Sequence, residues 1–196
     1  IVLSPSWSTE KKCIVYTSYQ AGKPDIYLGN LATGDSSVVF AKKGSNITPV
    51  WVPGKDLLAA SLSFEGSQGI YLLTLSGKIR KKLTGGWSKW GIDVSPSFSP
   101  DGKKMVFVSK RSGTPQLYIL ERSTERIRRL TYEGYYNTNP AWSPLGDKIA
   151  YSGLAKGRSN IFVIDVDSKK TVQLTEKSGD NESPTWSPDG SLIAFS

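Results

Sequence analysis
A chain of 196 residues, 38% hydrophobic and 11% aromatic, has material for one sizeable core or two small ones and is not a disordered tail. No apolar run approaches the roughly 20 residues of a membrane span, so no direct membrane insertion is expected. The single cysteine, Cys13, excludes an internal disulfide and a Cys-rich metal site. The absence of histidine removes the commonest general base, the commonest transition-metal ligand and every Ser/His or Cys/His dyad. The net charge of +8 permits an anionic partner without showing one.

In chain order, a short phrase recurs: PSWS from Pro5, PVWVP from Pro49, PSFSP from Pro96, PAWSP from Pro140 and PTWSP from Pro184, at spacings of 44, 47, 44 and 44. Each phrase predicts a first strand, with Pro at its start, where a missing N–H is tolerated. Its aromatic is Trp7, Trp51, Phe98, Trp142 or Trp186. A tight hairpin follows, marked most clearly by Asp101-Gly102 and Asp189-Gly190. The second strand carries an unalternating apolar triplet: Ile14-Val15-Tyr16, Leu58-Ala59-Ala60, Met105-Val106-Phe107, Ile149-Ala150-Tyr151 and Ile193-Ala194-Phe195. Such a run suits a strand covered on both faces.

The third strand holds Ile26-Tyr27, Ile70-Tyr71, Leu117-Tyr118 and Ile161-Phe162. The fourth ends in Val39-Phe40, Leu83-Thr84, Leu130-Thr131 and Leu174-Thr175. Four strands per repeat of about 40–50 residues is the blade of a β-propeller. The expected fold is therefore all-β, a propeller of four-stranded antiparallel blades. The repeats run over 5–48, 49–95, 96–139, 140–183 and, in part, 184–196 of a single domain, 1–196. Four blades and half of a fifth, with no closing segment, read as part of a larger propeller, because a propeller must close to hide its edges.

The repeated aromatics are expected to pack between neighbouring blades, since stacking on nucleic-acid bases would require exposure. Asp101, Asp147 and Asp189 could serve catalysis or a metal, but their place in the hairpin makes them turn residues. No catalytic, metal or cofactor-binding residue is assigned, and no cofactor is expected.

The phrases SPSFSPDGK at 95–103, RLT at 129–131, NTNPAWSP at 137–144, YTSYQAGKPDIY at 16–27 and SPTWSPDG at 183–190 resemble the TolB family, periplasmic propeller proteins of the Tol–Pal system. The likeness covers the whole chain. The repeat phrase also occurs in propellers of prolyl oligopeptidase, tricorn-type peptidases and oligogalacturonate lyases, but GYYNTNPAWSP looks more like TolB than like those.

The resemblance implies a parent with a small N-terminal α/β domain and a six-bladed propeller, of which this chain would be roughly blades two to five. It also implies a non-enzymatic, periplasmic role in outer-membrane integrity and cell division. The family binds the peptidoglycan-associated lipoprotein Pal over one mouth of the propeller. It contacts TolA through an N-terminal segment that this chain lacks, so TolA binding is not expected of it.

Family contacts to Pal lie in the loops before each Pro-x-Trp strand. Carried over by position, these are Ser45, Asn46, Thr48, Asp93, Val94 and Ser95. Repeat symmetry adds Asn137, Thr138, Asn139, Asp180, Asn181 and Glu182. Short polar side chains at such a mouth offer donors and acceptors to a partner. The family's frequent loop histidine is missing here.

A rival reading is the substrate-gating propeller of a prolyl oligopeptidase-type or tricorn-type serine peptidase, whose nucleophile and histidine would lie in another domain. Nucleic-acid binding through KIRKK at 78–82 or RSTERIRR at 122–129 is the weaker rival. Both stretches fall on outer strands, where charge blocks edge pairing, so no nucleic-acid partner is expected.

Overall fold
A computed structural model describes residues 1–8, 10–63, 66–176 and 179–196. It divides into two compact units, Ile1–Pro96 and Ser97–Ser196. Every regular element among the described residues is a β-strand.

In the first unit, β1 (Val2–Ser8), β2 (Cys13–Ser18), β3 (Asp25–Asn30) and β4 (Ser36–Phe40) form one antiparallel meander. A second is built from β5 (Asn46–Trp51), β6 (Leu57–Leu62), β7 (Gly69–Thr74) and β8 (Ile79–Lys82). The strand β9 (Asp93–Phe98) carries the division between the units at Pro96 and shares a sheet with β10 (Lys104–Ser112), β11 (Thr114–Glu121) and β12 (Arg126–Arg129). In the second unit, β13 (Asn137–Trp142), β14 (Lys148–Ala155), β15 (Arg158–Asp165) and β16 (Thr171–Gln173) form a fourth meander. The short pair β17 (Thr185–Trp186) and β18 (Ile193–Ala194) follows it.

The second strands β6, β10 and β14 are buried as their unalternating composition requires: Leu58, Ala59, Ala60 and Leu62 are wholly inaccessible in β6, as are Met105, Val106 and Phe107 in β10, whereas Ala194 and Phe195 of the fifth triplet are exposed. In the first unit the two meanders share one core. Val15 and Ile26 of the first pack with Leu58, Ala60, Leu62 and Leu73 of the second, and Trp51 is laid against the cluster. Blade-against-blade burial of this kind is the main stabilising term, at about 25 cal/mol per Å² of apolar surface.

The prolines sit differently from the expectation. Pro5, Pro49, Pro96 and Pro140 are each the fourth residue of their strand, not the first. Each strand lies at the edge of its sheet, where a missing N–H is tolerated. The register slips at a bulge between Leu3 and Ser6, Ile47 and Val50, and Thr138 and Ala141, which takes the proline off the ladder. The preceding residue is left-handed every time: φ is 52° at Ser4, 51° at Thr48, 52° at Ser95, 50° at Asn139 and 53° at Ser183.

The Leu-Thr landmarks follow the fourth strands instead of ending them. The threonine hydroxyl accepts a backbone N–H of the third strand: Ile70 to Thr84 at 3.2 Å, Leu117 to Thr131 at 3.0 Å and Ile161 to Thr175 at 2.9 Å. Thr thus extends the ladder one step beyond the strand.

Candidate functional site
The twelve residues expected to face a partner divide into two classes. Most lie in first strands, not in loops: Asn46 and Thr48 in β5, Asp93, Val94 and Ser95 in β9, and Asn137, Thr138 and Asn139 in β13. Ser45 immediately precedes β5, and Asp180, Asn181 and Glu182 precede β17.

The position three residues before Pro49, Pro96, Pro140 and Pro184 is buried, whereas Val2, three before Pro5, is exposed. Asn46 and Asp93 are 0% exposed, Asn137 2% and Asn181 8%. The amides of Asn46 and Asn137 donate inside the protein, to the preceding blade and to the segment leading into the strand, while Asn46 Oδ1 is buried without a partner among the described residues. Asn46 Nδ2 donates toward Asp25 Oδ1 at 3.0 Å, Pro24 O at 3.2 Å and Lys42 O at 2.8 Å. Asp25 is itself buried and paired with Lys23.

In the second unit Asn137 Nδ2 donates to Gln116 Oε1 and to Glu133 O, both at 2.9 Å. Gln116 Oε1 also accepts from the Thr131 hydroxyl at 2.7 Å, and Gln116 Nε2 donates to Gly134 O at 3.0 Å. Asp93 is held by its backbone, Asp93 N to Gln68 O at 3.0 Å, and accepts from Trp87 Nε1 at 3.2 Å. Asn181 N donates to Ser159 O at 2.8 Å. The same position is thus a latch between consecutive blades. Asp25 and Gln116, which directly precede the Ile-Tyr and Leu-Tyr landmarks, escaped the sequence reading. Their signal was a polar residue at the start of an otherwise apolar third strand.

The remaining positions keep some surface in solvent. Ser45, Thr48, Val94, Ser95, Thr138 and Asn139 are half-buried, and Asp180 and Glu182 are exposed. Their backbone is rigidly tied. Thr48 N donates to Thr17 Oγ1 at 3.1 Å, Thr48 Oγ1 meets Ser61 Oγ at 2.9 Å, and Ser95 N donates to Thr48 Oγ1 at 3.3 Å. In the second unit Asn139 Nδ2 donates to Ser183 Oγ at 3.0 Å, and Asp180 and Glu182 accept from Ser159 N at 2.8 Å and Ser159 Oγ at 2.9 Å.

Two of the repeated aromatics bond the preceding first strand through their indoles, two more are buried, and one is exposed. Trp51 Nε1 donates to Ser6 O at 3.1 Å and Trp186 Nε1 to Ala141 O at 3.0 Å, each 45 residues back. Trp142 N donates to Ser97 Oγ at 3.0 Å, and Phe98 and Trp142 are buried. Trp7 is the exception: it is 58% exposed.

The chemistry available is limited. Among the described residues no three His, Cys, Asp or Glu side chains come together as a metal site would need. Burial pushes the Tyr151 phenol up to about 12, so it stays protonated at neutral pH. The hairpin aspartates are turn residues: Asp101 Oδ1 accepts from Ser99 Oγ at 2.6 Å and from Lys103 N at 3.0 Å. The Ser187 hydroxyl, then Ser191 N–H and its hydroxyl, hold the Asp189 carboxyl down to about 2.

A carboxyl depressed in the folded state stabilises above its unfolded value, near pH 4, and that contribution is lost as pH falls toward 2. The Asp189→Asn variant should therefore show a shallower loss of stability between about pH 5 and about pH 2 than the parent. Thermal unfolding across that range measures it, and equal acid slopes would contradict the turn role.

A family model described as TolB beta propeller domain matches residues 1–196. The "Tol-Pal system protein TolB" of Desulfosudis oleivorans is 57% identical over 87 residues, 44% of this chain and 20% of that protein. The "Protein TolB homolog" of Chlorobium luteolum is 46% identical over 128 residues, 65% of this chain and 28% of that protein. The crystal structure of TolB from Acinetobacter baumannii superposes with a TM-score of 0.86 at 32% identity, over 98% of this chain and 48% of that one. The matched stretches thus cover less than a third of these curated relatives and just under half of the crystallised protein.

Proposed function
The chain belongs to the TolB β-propeller family, and from that premise we propose that it binds a Pal-like lipoprotein in the periplasm as a non-enzymatic part of a Tol–Pal system. In this reading it supports outer-membrane integrity and cell division through that contact. The segments leading into the first strands carry the contact, without the buried latch residues. In the first unit these are residues 45–48 and 93–95, and in the second 137–139 and 180–182.

One observation favours these segments. Each presents hydroxyls, amides or carboxylates from a backbone already fixed by a left-handed residue and by bonds to the preceding blade. A surface that loses little entropy on docking binds better than a mobile one. Side chains offering both donors and acceptors suit a protein partner, and specific protein interfaces draw on several such segments.

The test is a titration of the full-length protein with the soluble domain of its organism's Pal-like lipoprotein. Val94 is half-buried on β9, and Val94→Arg places a charge where a partner would desolvate it. The affinity should fall about tenfold or more, which corresponds to about 1.4 kcal/mol or more. Unchanged affinity in a folded Val94→Arg variant, together with unchanged affinity in a folded Asn139→Ala variant, would move the contact to another face.

A further inference from the structure
Residues 85–92, GGWSKWGI, form the segment between β8 and β9 in the first unit, and the fold holds this segment in one shape. Gln68 N donates to Gly91 O at 2.9 Å, and Asp93 N returns a bond to Gln68 O at 3.0 Å. Trp87 Nε1 donates to the buried Asp93 at 3.2 Å, and the Trp87 ring lies against Gly91. A Cβ on Gly91 would come within 3.0 Å of Trp87 Cε2 and 3.1 Å of Ser88 O, so a side chain there would have to push the indole back by a few tenths of an ångström. Trp90 N donates to Ser88 Oγ at 3.1 Å.

The outcome of this bracing is that Trp90 stands 79% exposed, with the Lys89 ammonium 5.3 Å from its ring centroid. The Lys82 side chain runs alongside Gly85 and Gly86. From residue 66 to residue 92 the chain carries Lys78, Arg80, Lys81, Lys82 and Lys89 and no carboxylate.

A large aromatic standing in water on a braced backbone, next to a cation, contributes nothing to the core. It matches what concentrates binding energy in protein interfaces, where Trp leads and preorganisation lowers the cost of docking. We propose that this segment is a docking knuckle for an acidic protein surface. Trp90 is seated in an apolar recess of the partner, and Lys89 faces a carboxylate at the rim of that recess. The partner is a protein because the segment adjoins Val94 and Ser95, so the inference rests on the protein-binding reading above. It is acidic because the Lys89 ammonium stands beside Trp90 and residues 66–92 carry no carboxylate.

The experiment is the same titration of the full-length protein with the soluble Pal-like domain, now with Trp90→Ala and Lys89→Glu. The exposed positions should leave the melting temperature unchanged. Trp90→Ala should weaken binding about tenfold or more, as loss of a central aromatic does. Lys89→Glu should weaken it further at low salt, and parent affinity should fall between about 50 mM and about 500 mM salt.

If Val94→Arg abolishes binding while Trp90→Ala does not change it, the knuckle is overturned and the broader reading stands. If Trp90→Ala weakens binding while Val94→Arg does not, the knuckle is supported and the contact shifts away from the strand segments. Affinity independent of both salt and Lys89→Glu would overturn the acidic partner. No binding by the parent would overturn the knuckle together with the reading on which it rests.

Discussion

Replacing Asn137 by alanine is expected to cost about 2–4 kcal/mol of folding stability and to leave partner affinity nearly unchanged once the protein is folded. Asn137 is 2% exposed, and its amide donates to Gln116 Oε1 and Glu133 O. Truncation strands one backbone carbonyl and removes one of two donors to the glutamine, and each buried acceptor left unmet costs about 1–3 kcal/mol. Asn137→Asp should be worse above neutral pH. It keeps the size but turns a carboxylate toward two acceptors in a buried place, which raises the carboxyl pKa. The penalty should then grow as pH rises from about 4, the unfolded value, and level off only above the raised folded value. Urea unfolding of both variants at two pH values measures this. An Asn137→Ala protein with parental stability and weakened binding would show that the residue serves the partner and not the blade junction.

Phe107→Ala should be the most damaging apolar truncation in the second unit, at about 3–5 kcal/mol. Phe107 is wholly buried in β10, its ring centroid 6.1 Å from that of Tyr118, with the Arg111 guanidinium 5.4 Å from its own centroid. Removing the ring leaves a cavity between strands that are bonded on both sides, so the backbone has little freedom to collapse into it. It also deprives Arg111 of one of the two rings it covers, the other being Tyr118. Phe107→Leu, which keeps most of the volume, should cost less than about 1.5 kcal/mol if the neighbours repack. Thermal unfolding of the pair checks the difference, and equal effects would mean that the loss of the ring, not the cavity, sets the cost.

The blade was legible in the sequence because its determinants are local and repeated. An apolar triplet nine residues after each Pro, an Asp-Gly hairpin and a Leu-Thr return each act within one unit of about 44 residues, and four copies in register leave one architecture. The family resemblance was legible for the same reason, since its phrases are the blade's own turns and first strands. The outer-edge placement of KIRKK was legible too: Arg80, Lys81 and Lys82 are exposed on β8, the last strand of its sheet.

The fate of the polar residues before each proline was decided only by the tertiary structure. As a string, Asn46, Asp93, Asn137 and Asn181 look like polar linker at a channel mouth. Nothing near them in sequence says that Asp25 or Gln116, 21 residues earlier, arrives with an acceptor for the amide. A side chain able to bond either water or a buried oxygen carries no preference of its own, so the neighbour that packing supplies makes the choice. The left-handed residue before each proline was hidden likewise: a residue before proline prefers extended backbone, and only bonds to the preceding blade, with a bulge at Thr48, hold Thr48 and Ser95 near +50°. Sequence determined how many blades there are and what fills them. The contacts between blades determined which polar groups are left to face a partner.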